Sequence, residues 1–304
     1  MTKVVILGGG NSPEREVSLR SAQAVMDAAQ QAGYDVSILD PQSGWSVLDS
    51  IALDTVVLPM LHGIGGEDGE VQQELERRKL SFLGTGSTES ELAFDKWQTK
   101  QLLKGKGISV PNGELVTFDQ YRNHPMTKKP HVLKADRNGS SIGVYIVHDP
   151  QHLDQKQIEE VFLFGPCALL EELVEGVEIT VPVLGVRALP VVEIIPPEGE
   201  EFDYENKYNG ETQELCPPQN VSEEQQRLAQ KIAEQAHMAL GCKHLSRTDI
   251  IIDSSGELFV LEVNTTPGMT HQSLFPKSAA TAGVSFPDLV EKFVHMAQQE
   301  KRYT

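Results

Sequence analysis

Arg247, Asp249, Glu262 and Asn264 lie in RTDIIIDSSGELFVLEVN, two apolar-rich runs joined by Ser254-Ser-Gly256. Side chains alternate along a strand, so Arg247, Asp249 and Ile251 share one face of the first run. Glu262 and Asn264 share one face of the second, with Leu261 and Val263 on the other. Counting back across the turn puts Asp249 opposite Glu262, or one residue away. Two carboxylates and a carboxamide then converge beside a guanidinium. Such an all-oxygen set suits Mg²⁺, which takes one or two carboxylates and completes its shell with substrate phosphates. A solvated strand face accounts for one acid; it accounts less well for three oxygen donors beside an arginine, followed by Pro267-Gly268.

Two further stretches have the chemistry of a nucleotide site. In HVLKADRNGSSIGV, a strand carrying Lys134 leads into a Gly-Ser-Ser-x-Gly turn. Small residues let backbone N–H groups and the hydroxyls of Ser140 and Ser141 approach an anion, and a lysine adds a point charge. Alone, such a turn is also an ordinary hairpin. In LLEELVEGVEIT, Glu171 and Glu178 flank a short connector, Val174-Glu-Gly176. A strand, a linker and a strand form a hinge where backbone groups could meet a base and a carboxylate a ribose. Glu-rich strand ends are also common on surfaces.

The N-terminal stretch LGGGNSPEREVS poses a different question. Three glycines after an apolar run point to a phosphate loop, yet Glu14 and Glu16 follow at once and would repel one. The dinucleotide fingerprint GxGxxG fails, because Pro13 holds the third glycine position. LHGIGGEDG follows another strand, and His62 there is a site residue or a packed turn residue. In open α/β sheets the carboxyl ends of strands carry the ligand site, so these two loops are expected to face each other.

The elements that must position these groups fall into three textures. The N-terminal third alternates apolar runs (3–7, 36–39, 55–61) with helical patterns (17–32, 71–79), a β-α-β arrangement that calls for a parallel sheet covered by helices. From about Asp95 a helix (95–103) leads into strands at 113–117, 131–134 and 143–147, a helix near 151–162 and a strand at 168–173, a small α+β unit. The last third has strands at 178–185 and 191–195, then a Pro/Glu/Gly-rich loop over 196–221. A loop that long is usually functional or disordered. Ser222 with Gln225 three residues on reads as a capping box for a helix that Gly241 closes. Strands at 244–253 and 257–264 complete the hairpin.

A net charge of −18 argues against a general nucleic-acid binder, which needs a basic surface, but leaves room for a small anion held by a few local cations. Cys167, Cys216 and Cys242 are far apart, odd in number and without a CxxC, which fits a reduced, cytoplasmic compartment and packed thiols rather than a metal site. No targeting segment or run of membrane-spanning length is visible.

Taken in order, GGGNSPEREVS, HGIGGEDG, DKWQTK, the stretch from Lys134 to Gly143, DYENKY, RTD and LEVNTTPGMT resemble the D-alanine–D-alanine ligases of the ATP-grasp superfamily. The likeness runs from Gly8 to about Pro287. It implies an α/β and α+β protein of three domains: a Rossmann-like substrate domain (1–94), a central small ATP-grasp domain (95–175) and a C-terminal ATP-grasp domain (176–304) with lid and metal site. ATP would lie between two antiparallel sheets. The resemblance also answers the question of the first loop, which in this family binds an amino acid. Glu14 would receive the ammonium of the first D-alanine, and His62 would stand near its carboxylate. Lys96, Lys134 and Lys207 would meet phosphates, with Ser140 and Ser141 in the phosphate loop and Ser140 linked to Glu14 through Tyr208. Glu171, Glu172, Leu173 and Val174 would strap the adenine, with Glu178 on the ribose. Asp249, Glu262 and Asn264 would hold two Mg²⁺ or Mn²⁺, Glu262 bridging. Arg247 and the Gly268 N–H would form an oxyanion hole, and Ser273 and Leu274 would contact the second D-alanine's carboxylate.

The implied reaction has two steps. ATP phosphorylates the first D-alanine, and the second D-alanine's amine displaces phosphate to give D-alanyl-D-alanine for peptidoglycan precursors. The loop at 196–221, with Lys207 and Tyr208, would be the closing lid. The family also implies a homodimer, and neither a nucleic acid nor a membrane as partner. Ala135, Phe94 and Leu173 depart from common family residues, and none removes a charge or a ligand. Other readings are a depsipeptide ligase, against which Tyr208 argues, and a ligase taking D-serine second. Another ATP-grasp enzyme gives no reason for Glu14, His62 and NTTPGMT together. A non-catalytic nucleotide module would tolerate loss of Asp249, Glu262 or Asn264, yet all three are present.

Overall fold

The computed structural model describes residues 2–139, 142–197 and 212–300. The N-terminal part contains β1 (Lys3–Leu7), α1 (Arg15–Gln31), β2 (Asp35–Leu39), β3 (Val56–Pro59), α2 (Glu70–Arg77), β4 (Ser81–Phe82) and α3 (Ser87–Phe94). Its four strands pair in parallel in the order 2-1-3-4. All four residues of β3 are buried, as in a strand covered on both faces. The first loop and the His62 loop leave the carboxyl ends of the adjacent strands β1 and β3, so they lie side by side as expected.

Next come α4 (Lys96–Gly105), β5 (Gly113–Thr117), α5 (Phe118–Asn123), β6 (His131–Ala135), β7 (Val144–Val147), α6 (Gln155–Phe162) and β8 (Cys167–Glu172). Asp95 caps α4 by accepting from the Gln98 N–H at 2.8 Å. The strands make an antiparallel sheet of order 5-8-6-7, and α5 and α6 cover one face with Tyr121, Ile158 and Val161. The sequence reading passed over α5. Its signal was present: Thr117 ends β5 and forms a capping box with Gln120.

The last part contains β9 (Gly176–Leu184), β10 (Arg187–Ala188), β11 (Val192–Ile195), β12 (Gln213–Leu215), α7 (Glu223–Ala239), β13 (Leu245–Asp253), β14 (Leu258–Asn264), α8 (Leu274–Thr281) and α9 (Phe286–Gln299). The second antiparallel sheet runs 12-11-9-13-14, with β10 paired to β9. The span read as one long loop therefore holds a strand, β12, which pairs with Glu193, Ile194 and Ile195. The Ser222–Gln225 capping box opens α7 as read from the sequence.

The C-terminal helices return to the beginning of the chain. Leu289, Val290, Phe293, Val294 and Ala297 of α9 share a core with Val4, Ile6, Val25 and Leu58. Their i, i+1, i+4, i+5, i+8 spacing is a helical stripe, with Ser285 as cap. Truncating Phe293, which is fully buried, costs about 3–5 kcal/mol on the usual scale for core aromatics. Arg247, which the resemblance gives to chemistry on the first substrate, and Glu14 are thus carried by parts tied into one body.

Candidate active site

The β13–β14 register places Asp249 directly opposite Glu262 and Arg247 opposite Asn264. A bulge after Asp249 shifts the pairing, so that Ile250 faces Val260 and Leu261 is the extra residue. This corrects one expectation. Leu261 does not turn away from the carboxylates with Val263; it lines the same cleft as Glu262, whereas Val263 stays in the core. Strict alternation fails where a residue is inserted.

Asp249 is gripped from two sides. Arg247 donates to it through Nε at 2.9 Å and Nη2 at 2.7 Å, and the Thr180 hydroxyl on β9 donates at 2.5 Å. Burial works against the guanidinium's charge, but Asp249 beside it more than offsets this and raises its pKa further. The Asn264 carboxamide oxygen accepts from the Thr266 N–H at 2.7 Å, which starts the turn toward Gly268. Lys96 Nζ lies 3.7 Å from Glu262 Oε2 and donates to the Asn138 carbonyl. Burial depresses the pKa of Lys96, with Glu262 opposing.

A second charged cluster lies on the smaller sheet. Glu171 sits on β8, one diagonal step across from Lys134 on β6. Lys134 Nζ and Lys100 Nζ each approach a separate Glu171 oxygen at 2.6 Å. Glu171 is only 2% exposed. Burial alone would raise its pKa, yet Lys100 and Lys134 hold it below the usual carboxylate range. Gly113, its neighbour on β5, leaves it room: a methyl group there would fall 2.7 Å from Glu171 Cγ and 2.5 Å from the Leu170 carbonyl oxygen.

Between the two antiparallel sheets lies a cleft of about 810 Å³. Its wall takes in Lys96, Lys134, Asn138, residues 171–178, Asp249, Leu261 and Glu262. Glu171, Glu172, Leu173, Val174 and Glu178 are thus brought together with both charged clusters. The Glu172 carboxylate is held aside by the N–H and carboxamide of Asn112, at 3.0 and 2.9 Å, which keeps the strap's backbone in place. The volume is in the range of nucleotide-sized pockets. Ser140, Ser141, Lys207 and Tyr208, all singled out by sequence, lie outside the described residues.

The first glycine loop is not built for phosphate. The Gly8 N–H bonds the Leu39 carbonyl at 3.1 Å, the Gly9 N–H bonds Ser18 Oγ at 2.8 Å, and the Gly10 N–H bonds Asp40 at 3.0 Å. None of the three amides is left for an anion. Gly8 is needed for close approach, since a methyl group there would strike the Ala22 side chain at 2.4 Å. Arg15 locks the loop by donating to the Gly10 carbonyl and to Asp40. Glu14 is 95% buried at the start of α1. A methyl group on Gly139 would sit 3.1 Å from both Glu14 Oε2 and Glu67 Oε2. Two carboxylates therefore converge at Gly139.

His62 joins this pocket to the Gly268 turn. Its Nδ1 lies 3.1 Å from the Thr266 carbonyl, which can only accept, so Nδ1 carries the proton there. Its Nε2 lies 3.3 Å from Ser21 Oγ, whose hydroxyl can donate to it while accepting from the Met269 N–H. Ser273 caps α8; its hydroxyl accepts from the Thr270 N–H and would lie 3.0 Å from a methyl group on Gly268. The Leu274 side chain is buried with Val192 and Ile194 at the first turn of α8. Three groups at the site escaped the sequence reading: Lys100, Glu67 and Ser21. Lys100 and Glu67 stood inside the quoted DKWQTK and HGIGGEDG motifs; Ser21 had no signal beyond one helical turn from Val17.

Asp249, Glu262 and Asn264 fit a hard divalent cation: all donate oxygen, and two of them wall the cleft. Among the described residues no three His, Cys, Asp or Glu side chains gather into a metal-holding group. A cation there must share its shell with a ligand that brings its own oxygens.

Residues 102–295 match the family model described as D-ala D-ala ligase C-terminus. The chain is 40% identical to the D-alanine–D-alanine ligase of Actinobacillus succinogenes, over 97% of each chain. It is 41% identical to that of Desulforudis audaxviator, over 98% of this chain and 99% of the relative. Among solved structures, the D-alanine–D-alanine ligase of Bacillus anthracis complexed with ATP superposes with a TM-score of 0.83 at 27% identity, covering 98% of both chains. The VanG D-Ala:D-Ser ligase of Enterococcus faecalis gives the same TM-score at 28% identity, covering 97% of this chain and 99% of its own.

Proposed function

The chain belongs to the D-alanine–D-alanine ligase family, and on that footing we propose that it joins two D-alanines into D-alanyl-D-alanine with conversion of ATP to ADP and phosphate. The observation that carries this reading is the separation of two chemistries: an acidic pair near the first loop, and a cleft that sets lysines beside oxygen donors. One is the pair of buried carboxylates beside the first loop, Glu14 and Glu67, which both approach Gly139. The other is a cleft in which Lys96 and Lys134 stand on the same wall as Asp249 and Glu262, a mix of cations and oxygen donors. The first suits an ammonium, the second a polyphosphate. The division into 1–94, 95–175 and 176–304 follows the three sheets. The product supplies peptidoglycan precursors, and the ATP requirement places the reaction in the cytoplasm. A homodimer is the form the family points to.

In the first step a carboxylate oxygen of the first D-alanine attacks the γ-phosphorus of ATP, and ADP leaves. Glu14 holds the ammonium, and His62, fixed between the Thr266 carbonyl and Ser21, orients the carboxylate. Lys96 and Lys134 offset the charge on the phosphates, Asn138 steadying Lys96. Ser140, Ser141 and Lys207 add to this, and Tyr208 ties Ser140 to Glu14. The adenine lies on the strap from Glu171 through Glu172 and Leu173 to Val174, with Glu178 on the ribose. Asp249, Glu262 and Asn264 would hold two Mg²⁺ or Mn²⁺, which supply positive charge to the phosphate oxygens when bound.

In the second step the amine of the second D-alanine attacks the carbonyl of the acyl phosphate. The amine loses a proton, the C–O bond to phosphate breaks, and the peptide bond remains. Arg247, aimed by Asp249, and the Gly268 N–H stabilise the oxyanion. Ser273 and the Leu274 backbone N–H receive the second carboxylate, Leu274's side chain being buried. The loop at 196–221 closes over the acyl phosphate and keeps water out. Protection of that loop from proteolysis by ATP plus a phosphinate mimic tests closure; unchanged cleavage counts against it.

Isotope transfer tests the chemistry. D-Alanine labelled with ¹⁸O in both carboxyl positions should place one label in the released phosphate. Unlabelled phosphate would mean that no acyl phosphate forms. D-serine as the second substrate is the alternative, favoured by the likeness to the VanG D-Ala:D-Ser ligase; identity of about 40% to D-alanine–D-alanine ligases favours D-alanine.

A further inference from the structure

Lys134 faces two demands. It lines the cleft, where a phosphate must attract it, yet its ammonium lies 2.6 Å from a buried carboxylate. A lysine and a glutamate paired alone have no net charge to offer. Removing one partner of a buried pair is also costly, because it strands the other charge. Lys134 could turn toward a nucleotide only if Glu171 kept another counter-ion.

Lys100 is placed to be that counter-ion. It follows Lys96 by four residues on α4, so both project from one face of the helix. Lys96 reaches the cleft wall; Lys100 does not, and stops behind Glu171, 2.6 Å from its other oxygen. Lys100 is 3% exposed. At that distance its charge acts directly on the Glu171 carboxylate. Burial pulls its pKa down to about 8, with Glu171 opposing, which leaves it mostly charged at neutral pH. The trio of Lys100, Glu171 and Lys134 then carries one net positive charge, and the lysine nearer the cleft is the one able to present it.

Resting on the nucleotide reading of the cleft, we propose that Lys100 is a positioning residue: it holds Glu171 from behind and so frees Lys134 to turn its ammonium to a phosphate. Phosphate recognition, not recognition of the base, is what Lys100 controls.

Titration calorimetry of the full chain with adenosine and with ATP separates these. The readout is the ratio of the two dissociation constants, which isolates the contribution of the phosphates. In Lys100→Met the ratio should fall about tenfold, with adenosine binding within about twofold of wild type. Lys100→Arg, which keeps the charge, should restore most of the ratio. In a Glu171→Gln background the Lys100→Met change should matter little, about twofold or less, because the charge it offsets is gone. Equal weakening of adenosine and ATP by Lys100→Met would overturn the proposal in favour of a purely structural role. So would an unchanged ratio, or the same loss in both backgrounds. If Lys100→Met does not fold, Lys100→Gln is read in the same way: the ratio should fall, and an unchanged ratio overturns the proposal. Wild-type protein that binds neither probe would instead sink the nucleotide reading of the cleft itself.

Discussion

The first glycine loop and the cleft between the antiparallel sheets make opposite use of the same materials. At the loop, Gly8, Gly9 and Gly10 spend their N–H groups on Leu39, Ser18 and Asp40, and the buried carboxylates Glu14 and Glu67 stand nearby. At the cleft, Lys96, Lys100 and Lys134 gather around Glu171 and Glu262, so cations stand where oxygen donors also line the wall. The lesson is that a glycine-rich loop after a strand does not by itself bind phosphate. What matters is whether its amides are already engaged and which charges stand beside it. A chain with a net charge of −18 can still bring cations to an anion-binding wall, by placing three lysines on two elements, α4 and β6.

The harshest test removes the cleft's own anions. Glu262→Gln should lower kcat roughly a thousandfold, since charge at the phosphates dominates such chemistry. Adenosine binding should stay near wild type by calorimetry, because the strap lies elsewhere on the wall. A variant with kcat within tenfold of wild type would remove the metal assignment.

Acid should strain one region more than the other. His237 on α7 is buried behind β13, its Nδ1 at 2.7 Å from Ser246 Oγ, and burial lowers its pKa to about 4. Between pH 6.5 and 4 the unfolded chain therefore binds a proton that the folded chain refuses, so this group makes stability fall as pH falls through that window. The loss amounts to about 3 kcal/mol when complete. Urea midpoints measured from pH 7 to 4 should fall less steeply in His237→Gln than in wild type. Parallel curves would deny His237 this part.

Glu14→Gln breaks the comparison from the other side. It should raise KM for the first D-alanine roughly a hundredfold, the scale for losing a desolvated charge partner. The dissociation constant of ATP should not change beyond twofold. If ATP weakens in step with D-alanine, the two pockets are not the separate devices described.

The mildest change sharpens the link between them. Ser21 joins His62 on one side to the Met269 N–H on the other. Ser21→Ala removes one buried hydrogen-bonding group, worth about 1 kcal/mol, and should raise KM for D-alanine about fivefold with kcat nearly unchanged. A large loss of kcat with KM intact would show that Ser21 serves the Gly268 turn and not substrate binding.

Much of this was legible in the residues. The alternation of RTDIIID against ELFVLEVN leads to Asp249 opposite Glu262, and the short turn leaves little freedom in register. Ser222 and Gln225 announce their helix through local hydrogen bonds. The bulge at Leu261 was hidden, because one inserted residue has no compositional mark. Lys100 was hidden for a different reason: its partner, Glu171, is 71 positions away by number and is met only when α4 packs on β8. The stripe of α9 was present in the sequence, but its partners β1 and β3 lie at the other end of the chain.

The central claim is the ligation itself, and product analysis tests it most directly. Phosphate release would be followed with ATP and Mg²⁺ while D-alanine, D-serine, D-lactate and L-alanine are offered singly and in pairs, with products identified by mass. The account predicts that D-alanine alone supports release and yields D-alanyl-D-alanine, one phosphate per dipeptide. Release without that dipeptide, or no release with any pair, would contradict it.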